Sequence, residues 1–172
     1  MVVAFSTVLL TGISTNKTKL ARAEQTLNHL AEAKVAVIAY AQLSDPDKTP
    51  LPTGLQQRYL PCPDTDGDGL EETPCGTTAA TGWLPWQTLG LAPRKDGGGT
   101  CFRYFVSAEY KQGTTNPPLI SALPAGEFSL SNPNQVLSND VVAIIFASNT
   151  VVAGQNRSPT PGTPTECGST SA

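Results

Sequence analysis

One uninterrupted stretch without glycine or proline, residues 16–43, constrains this chain more than any other feature. It is rich in alanine and leucine, which favour the α-helix. Ser44-Asp45-Pro46 ends it, because the residue before a proline avoids helical backbone angles. Upstream, Gly12-Ile13-Ser14-Thr15 is only a weak break. We therefore predict one helix from near Met1, roughly 40 residues and 60 Å long.

The predicted helix carries most of its apolar side chains along one face, at roughly 100° per residue. These residues are Leu20, Ala23, Leu27, Leu30, Ala31, Val35, Val37, Ile38 and Ala41. His29 projects from the polar side, almost opposite this face. We expect the apolar face to contact either a sheet of the same chain or neighbouring subunits. His29 is expected to be exposed and without function.

The second predicted region, residues 44–172, is a globular region of loops and strands with a Pro/Ser/Thr-rich C-terminal tail. Strand signals occur at 101–106 and 127–130, and the apolar run 141–146 is typical of a central buried strand. The aromatic segment 82–86 is expected to pack onto the core from a loop. The predicted fold class is α+β: residues 1–43 form a long helix packed on a small antiparallel β-sheet.

The chain has four cysteines, Cys62, Cys75, Cys101 and Cys167. None of them forms a CxxC pair, so a structural zinc site is not indicated. An even number in a loop-rich chain predicts two disulfides and an oxidising compartment. Of the three possible pairings we favour Cys62–Cys75, which closes a short loop, with Cys101–Cys167, which fastens the tail. Four reduced thiols in a cytosolic protein are the alternative.

The sharpest local motif is the acidic segment 64–72, in which three aspartates alternate before a glycine. Alternate aspartates can converge on one hard cation, and Gly69 permits the sharp turn of a D-x-D-x-D-G calcium loop. The predicted Ca²⁺ ligands are Asp64, Asp66, Asp68, the Leu70 carbonyl and Glu72. Cys75 stands where the closing bidentate glutamate would be, and no helix pair is predicted around the loop. A solvated acidic turn is the alternative interpretation.

Charge and motif content argue against two other classes of function. The net charge of −3 and the absence of a basic run argue against a nucleic-acid partner. The single histidine, His29, is the only candidate base and projects from the polar side of the helix, and no G-x-S-x-G or phosphate-binding loop is present. An enzyme is therefore the weakest of the three classes considered.

The first 13 residues are apolar and uncharged, but they are shorter than the roughly 20 residues that a membrane-spanning helix needs. They lack the basic region of a secretory signal. We interpret them either as the lower part of a longer apolar helix or as a buried or interfacial segment.

The order of these parts resembles that of bacterial type IV pilins and type II secretion pseudopilins. Two blocks are similar to one group of pilin-like proteins, namely Leu60-Pro61-Cys62-Pro63-Asp64-Thr65-Asp66-Gly67-Asp68-Gly69 and Leu84-Pro85-Trp86-Gln87-Thr88-Leu89-Gly90-Leu91. The segments 102–107, 141–146 and 153–155 also resemble that group, so the similarity covers most of residues 20–157. In this chain Ala4-Phe5 fits a prepilin cleavage site, but Leu9 stands where the family has a glutamate.

The resemblance implies a structural, non-enzymatic subunit of a type IV pilus or type II secretion filament. Its helix would lie in the inner membrane before assembly and would then pack against copies of itself or other pilin-like subunits. The globular part would face the periplasm or the outside of the cell. The alternative is a secreted or membrane-tethered calcium-stabilised binding or adhesion module with a pilin-like shape.

Overall fold

The computed structural model describes residues 2–43, 59–72, 74–111 and 126–148, with side chains in the helix from residue 16 onward. Helix α1 spans Val2–Leu43 and is followed by five strands and a short 3₁₀ helix. The strands are β1 (Ala80–Trp83), β2 (Arg103–Val106), β3 (Phe128–Asn132), β4 (Gln135–Val141) and β5 (Ala143–Phe146), and the 3₁₀ helix spans Ala108–Tyr110. The predicted α+β class is confirmed.

The strands form two antiparallel sheets instead of the single small sheet predicted. Strands β1, β2 and β5 form one sheet in that order, and β3 and β4 form a two-stranded hairpin. The hairpin adjoins the larger sheet through Phe128, whose ring meets that of Phe105 edge to face at 6.3 Å. Phe105 in turn stacks on Phe146 at 5.5 Å.

Strand β5 was expected to be a central buried strand, and this prediction is wrong. It pairs with β2 on one side only and so forms an edge of the three-stranded sheet, with its residues half-buried or exposed. The apolar run is also divided, because Val141 ends β4 and Ala143 begins β5. A run buried on only one face can be as apolar as one buried on both, so hydropathy alone does not separate the two cases.

The core lies between α1 and one face of the three-stranded sheet. Ala33 and Val37 of the helix pack with Leu84, Phe102, Tyr104 and Val106. Trp83 is also buried, as expected for the aromatic segment, but it belongs to strand β1 and not to a loop. The guanidinium of Arg103 lies 4.4 Å from the centre of the Trp83 ring, close enough for a cation–π contact.

The predicted apolar face of α1 is buried only along one edge, at Leu30, Val37 and Ala41. The other expected contact, with neighbouring subunits, stays a prediction. The buried and half-buried positions recur through Thr26, His29, Leu30, Ala33, Ala36, Val37, Tyr40 and Ala41. Leu20, Leu27 and Val35 are instead 66–70% exposed, and Ile38 is 47% exposed. Polar side chains on the packed face form hydrogen bonds with the domain, so this face is buried although it is partly polar.

The disulfide Cys62–Cys75 is present and closes the loop that carries the acidic segment. Cys101 is disulfide-bonded as well. Its predicted partner Cys167 lies outside the described residues, so the Cys101–Cys167 pairing stays a prediction.

Candidate functional site

The acidic turn, residues 64–72, wraps around the buried carboxylate of Asp64. The amide of Gly67 donates to Asp64 Oδ1 at 2.5 Å and that of Gly69 donates to Oδ2 at 2.8 Å. Both glycines have a positive φ, 88° and 90°, which L side chains rarely adopt. At Gly69 a Cβ atom would also lie 2.3 Å from the ring of Trp86, so only glycine fits there.

Three of the five predicted cation ligands come together in this turn. One carboxylate oxygen from each of Asp64, Asp66 and Glu72 lies within 4.8 Å of the others. Asp68 is not part of this cluster; its Oδ1 accepts the amide hydrogen of Leu70 at 2.7 Å. The Leu70 carbonyl as a further ligand stays a prediction. The donor set consists of hard oxygens, as divalent cations such as Ca²⁺ require.

Burial raises the pKa of Asp64 to about 6, against the lowering effect of the Gly67 and Gly69 amides. The nearby charges of Glu72 and Asp68 raise that pKa further. A buried carboxylate with acidic neighbours is an environment that a bound cation would improve, because the cation offsets both burial and repulsion. The turn could therefore hold a metal ion.

The same carboxylates also accept hydrogen bonds from the backbone of the turn. Glu72 accepts from the amides of Thr65 at 2.7 Å and Asp66 at 3.3 Å. Asp66 accepts from the amide of Asp68 at 3.1 Å. These bonds satisfy the turn without a cation, as the alternative of a polar turn requires.

Glu71, which the sequence did not single out, links the acidic turn to helix α1. Its Oε1 accepts the hydroxyl hydrogen of Tyr40 at 2.6 Å, and its Oε2 accepts the amide hydrogen of Cys62 at 2.9 Å. Burial and the Glu71 carboxylate both raise the pKa of Tyr40, so the phenol stays protonated and donates. The Glu71 carboxylate thereby links helix α1, the disulfide and the acidic turn. The only sequence signal was its place between the aspartates and Cys75.

A second loop, which contains Arg94 and Gly97, contacts helix α1 on the N-terminal side of Tyr40. Arg94 forms an ion pair with Glu32 at 2.8 Å, and the Gly97 amide donates to Thr26 Oγ1 at 2.8 Å. A Cβ atom on Gly97 would lie 2.4 Å from the carbonyl oxygen of Arg22, so glycine allows the close approach of the two backbones.

His29 takes part in this contact, so its predicted exposed position is wrong. It is half-buried, and its Nδ1 lies 2.9 Å from the carbonyl oxygen of Lys95, as in a hydrogen bond donated by the ring. A polar residue on the packed face is tolerated because a backbone acceptor meets it. The contact joins the helix to the loop that carries Lys95.

The far side of α1 carries an exposed apolar stripe, which we define as Leu20, Leu27, Ala31, Val35 and Ile38. Beside it lies a groove of about 530 Å³. The groove is lined by Leu30, Ala31, Lys34, Val37, Ile38, Leu60, Val142, Ala143 and Ile145. Stripe and groove share Ala31 and Ile38, so they form one continuous apolar surface from the helix to the edge strand β5. Large exposed apolar patches on a folded protein mark contact surfaces.

Comparison with known proteins leaves the chain without a match: no family model, no curated protein and no solved structure is similar to it. Among the described residues, no helix is both long enough and apolar enough to cross a membrane.

Proposed function

We propose that this protein is a structural subunit of the pilin or pseudopilin kind, which assembles through helix α1 into a type IV pilus or type II secretion filament. The observation that carries the proposal is the exposed apolar stripe on a helix whose other face is fixed to the domain. Leu20, Leu27 and Val35 are each about two-thirds exposed. Their burial against other subunits would remove apolar surface from water, and this favours association.

The way the helix is held supports the same role. Two loops hold it, through Tyr40 to Glu71 near its C-terminal end and through Thr26 to Gly97 farther down. A helix held along one face presents its other face in a fixed orientation, so few conformations are lost on assembly. The partners are copies of this chain or other pilin-like subunits, and the role is non-catalytic.

The disulfide supports placement outside the cytosol. A bridge between Cys62 and Cys75 persists in the periplasm or at the cell surface, whereas reducing systems remove such bridges in the cytosol. We assign the protein to the inner membrane and periplasm before assembly and to a surface or extracellular filament afterwards.

Leu27→Asp should abolish assembly and leave the domain folded. The new carboxylate would be buried without a partner in the assembled helices, which should weaken self-association at least tenfold. Leu27 is 66% exposed in the single chain, so the unfolding midpoint should change little. Sedimentation velocity of the full chain and the yield of sheared surface filaments measure the two effects.

Gln25→Asp is the matched control, because it adds the same charge at an exposed position two residues away, outside the stripe. It should assemble like the unmodified chain. If Leu27→Asp also assembles normally, the stripe is not an assembly surface and the filament role loses its support.

The acidic turn favours a second candidate, a calcium-stabilised binding or adhesion module. Its basis is the cluster of Asp64, Asp66 and Glu72 oxygens within 4.8 Å. Extracellular modules of this kind bind Ca²⁺ with millimolar affinity, which suffices where calcium is abundant. A ligand-filled site stabilises the fold by mass action.

Calcium should raise the unfolding midpoint of the native chain and of Asp68→Ala, but not that of Asp66→Ala. The expected stabilisation is about 2–3 kcal/mol at a hundredfold excess over the dissociation constant. Asp68 is the control, because its carboxylate lies in the same turn but outside the cluster. Thermal unfolding with calcium and with chelator measures the effect. Equal calcium shifts in the two variants would show that the turn is only polar.

A further inference from the structure

The charges of the chain are divided unevenly between the part of the helix before Glu24, which we call the lower helix, and the rest of the chain. Lys17, Lys19 and Arg22 are the only ionisable side chains before Glu24. The whole chain has 11 basic and 14 acidic residues, so the remainder holds eight basic residues against all fourteen acidic ones. The lower helix is thus positive, and the part from Glu24 onward is negative.

These three residues, which we name the basic collar, lie on two sides of the helix. At roughly 100° per residue, Lys19 and Arg22 are only about 60° apart, and Lys17 is separated from them by about 160° and 140° respectively. All three are exposed, and the ion pair between Arg94 and Glu32 involves none of them. Positive charge on two sides of the helix suits a surrounding anionic layer better than a partner that docks on one face.

The collar lies at the N-terminal end of the helical segment that the domain contacts. Gly97 packs on the backbone of Arg22, and a hollow of about 450 Å³ opens beside it. Lys19 and Arg22 line this hollow together with Ala23, Thr26, Leu27, Gly97 and Gly98. From Lys17 to Arg22 the helix rises about 7.5 Å, close to the depth of one lipid headgroup layer.

Below the collar, the sequence from Val2 to Ile13 contains no charged residue. Lysine and arginine beside an apolar helical segment extend their charged ends to the phosphate layer while their stems stay in apolar surroundings. The arrangement matches a helix whose lower part enters a leaflet and whose collar marks the level of the phosphates.

We propose that the basic collar binds the phosphates of anionic phospholipids and sets the depth of the subunit at the bilayer surface before assembly. The inference rests on the membrane stage of the proposed function. It adds the class of lipid and the residues that recognise it.

The test is vesicle flotation of the full chain, with neutral phosphatidylcholine vesicles compared with vesicles containing about 30% phosphatidylglycerol. Binding should be stronger to the anionic vesicles and should weaken as salt is raised. The triple variant Lys17→Gln/Lys19→Gln/Arg22→Gln should lose about a hundredfold in affinity for them. These side chains are exposed, and an unchanged unfolding midpoint verifies that the variant folds.

Lys34→Gln/Lys48→Gln/Arg58→Gln is the control, since it removes the same charge outside the collar. Its affinity for anionic vesicles should fall about threefold at most, as expected for a change in net charge alone. Any one of three results would overturn the proposed role of the collar. These are equal losses of affinity in the two triple variants, equal binding to both vesicle types, and binding to duplex DNA as tight as to anionic vesicles. If flotation depends on the collar but assembly does not depend on Leu27, the filament role alone is overturned.

Discussion

Ala33→Asp should unfold the domain, whereas Ala31→Asp, the same substitution two residues away, should leave its stability nearly unchanged. Ala33 is fully buried in the core beside Val37 and Tyr104. A carboxylate there would be desolvated without a partner and too large for its space, at a cost of about 4 kcal/mol or more. Ala31 is exposed in the single chain, so its variant should stay within about 0.5 kcal/mol.

This pair distinguishes the two possible packing faces of α1. The periodicity of the sequence places Ala31 on the predicted apolar face and leaves Ala33 out of it, whereas the structure does the reverse. Urea unfolding at low protein concentration, followed by the fluorescence of Trp83 and Trp86, measures both variants. Comparable destabilisation by the two substitutions would contradict the observed packing.

Cys62→Ser/Cys75→Ser should lower the free energy of unfolding by about 3 kcal/mol, because the bridge closes a short loop in the unfolded chain. The bridge spans 13 residues, and Cys62 is fully buried beside the carboxylate of Glu71. For a chain of this size the melting temperature should fall by roughly 6–12 °C.

Calorimetry under non-reducing conditions measures this loss in the double variant and in the native chain. A thiol reductant should lower the melting temperature of the native chain by at least as much, because it opens the same bridge. A double variant that melts with the native chain would show that the loop is held by its hydrogen bonds alone.

Much of the local structure could be predicted from local rules. The helix follows from its composition and from Pro46 beyond its end. The pairing of Cys62 with Cys75 was one of three possibilities, favoured by the short loop that it closes. The alternating aspartates and Gly69 predicted a turn with converging carboxylates, and Asp64, Asp66 and Glu72 do converge.

Strand β1 and the role of Glu71 could not be predicted, because each depends on a contact with residues distant in sequence. Gly82 breaks the strand pattern of 80–83, yet a Cβ atom there would lie 2.3 Å from the Asp64 carbonyl oxygen, and Trp83 exchanges backbone hydrogen bonds with Asp64. The strand therefore depends on a contact with residues much earlier in the chain. Glu71 is likewise defined by Tyr40, 31 residues away.

The sequence by itself determined that α1 forms, where it ends, and that a disulfide-closed acidic turn follows. Only the tertiary structure decided which face of the helix is buried. Hydropathy favoured the stripe through Leu27 and Ile38, but the domain packs on the side where Ala33 permits close approach and where His29 and Tyr40 meet an acceptor and a carboxylate. Close fit and satisfied polar groups depend on residues distant in sequence, so the periodicity of the helix alone does not contain them.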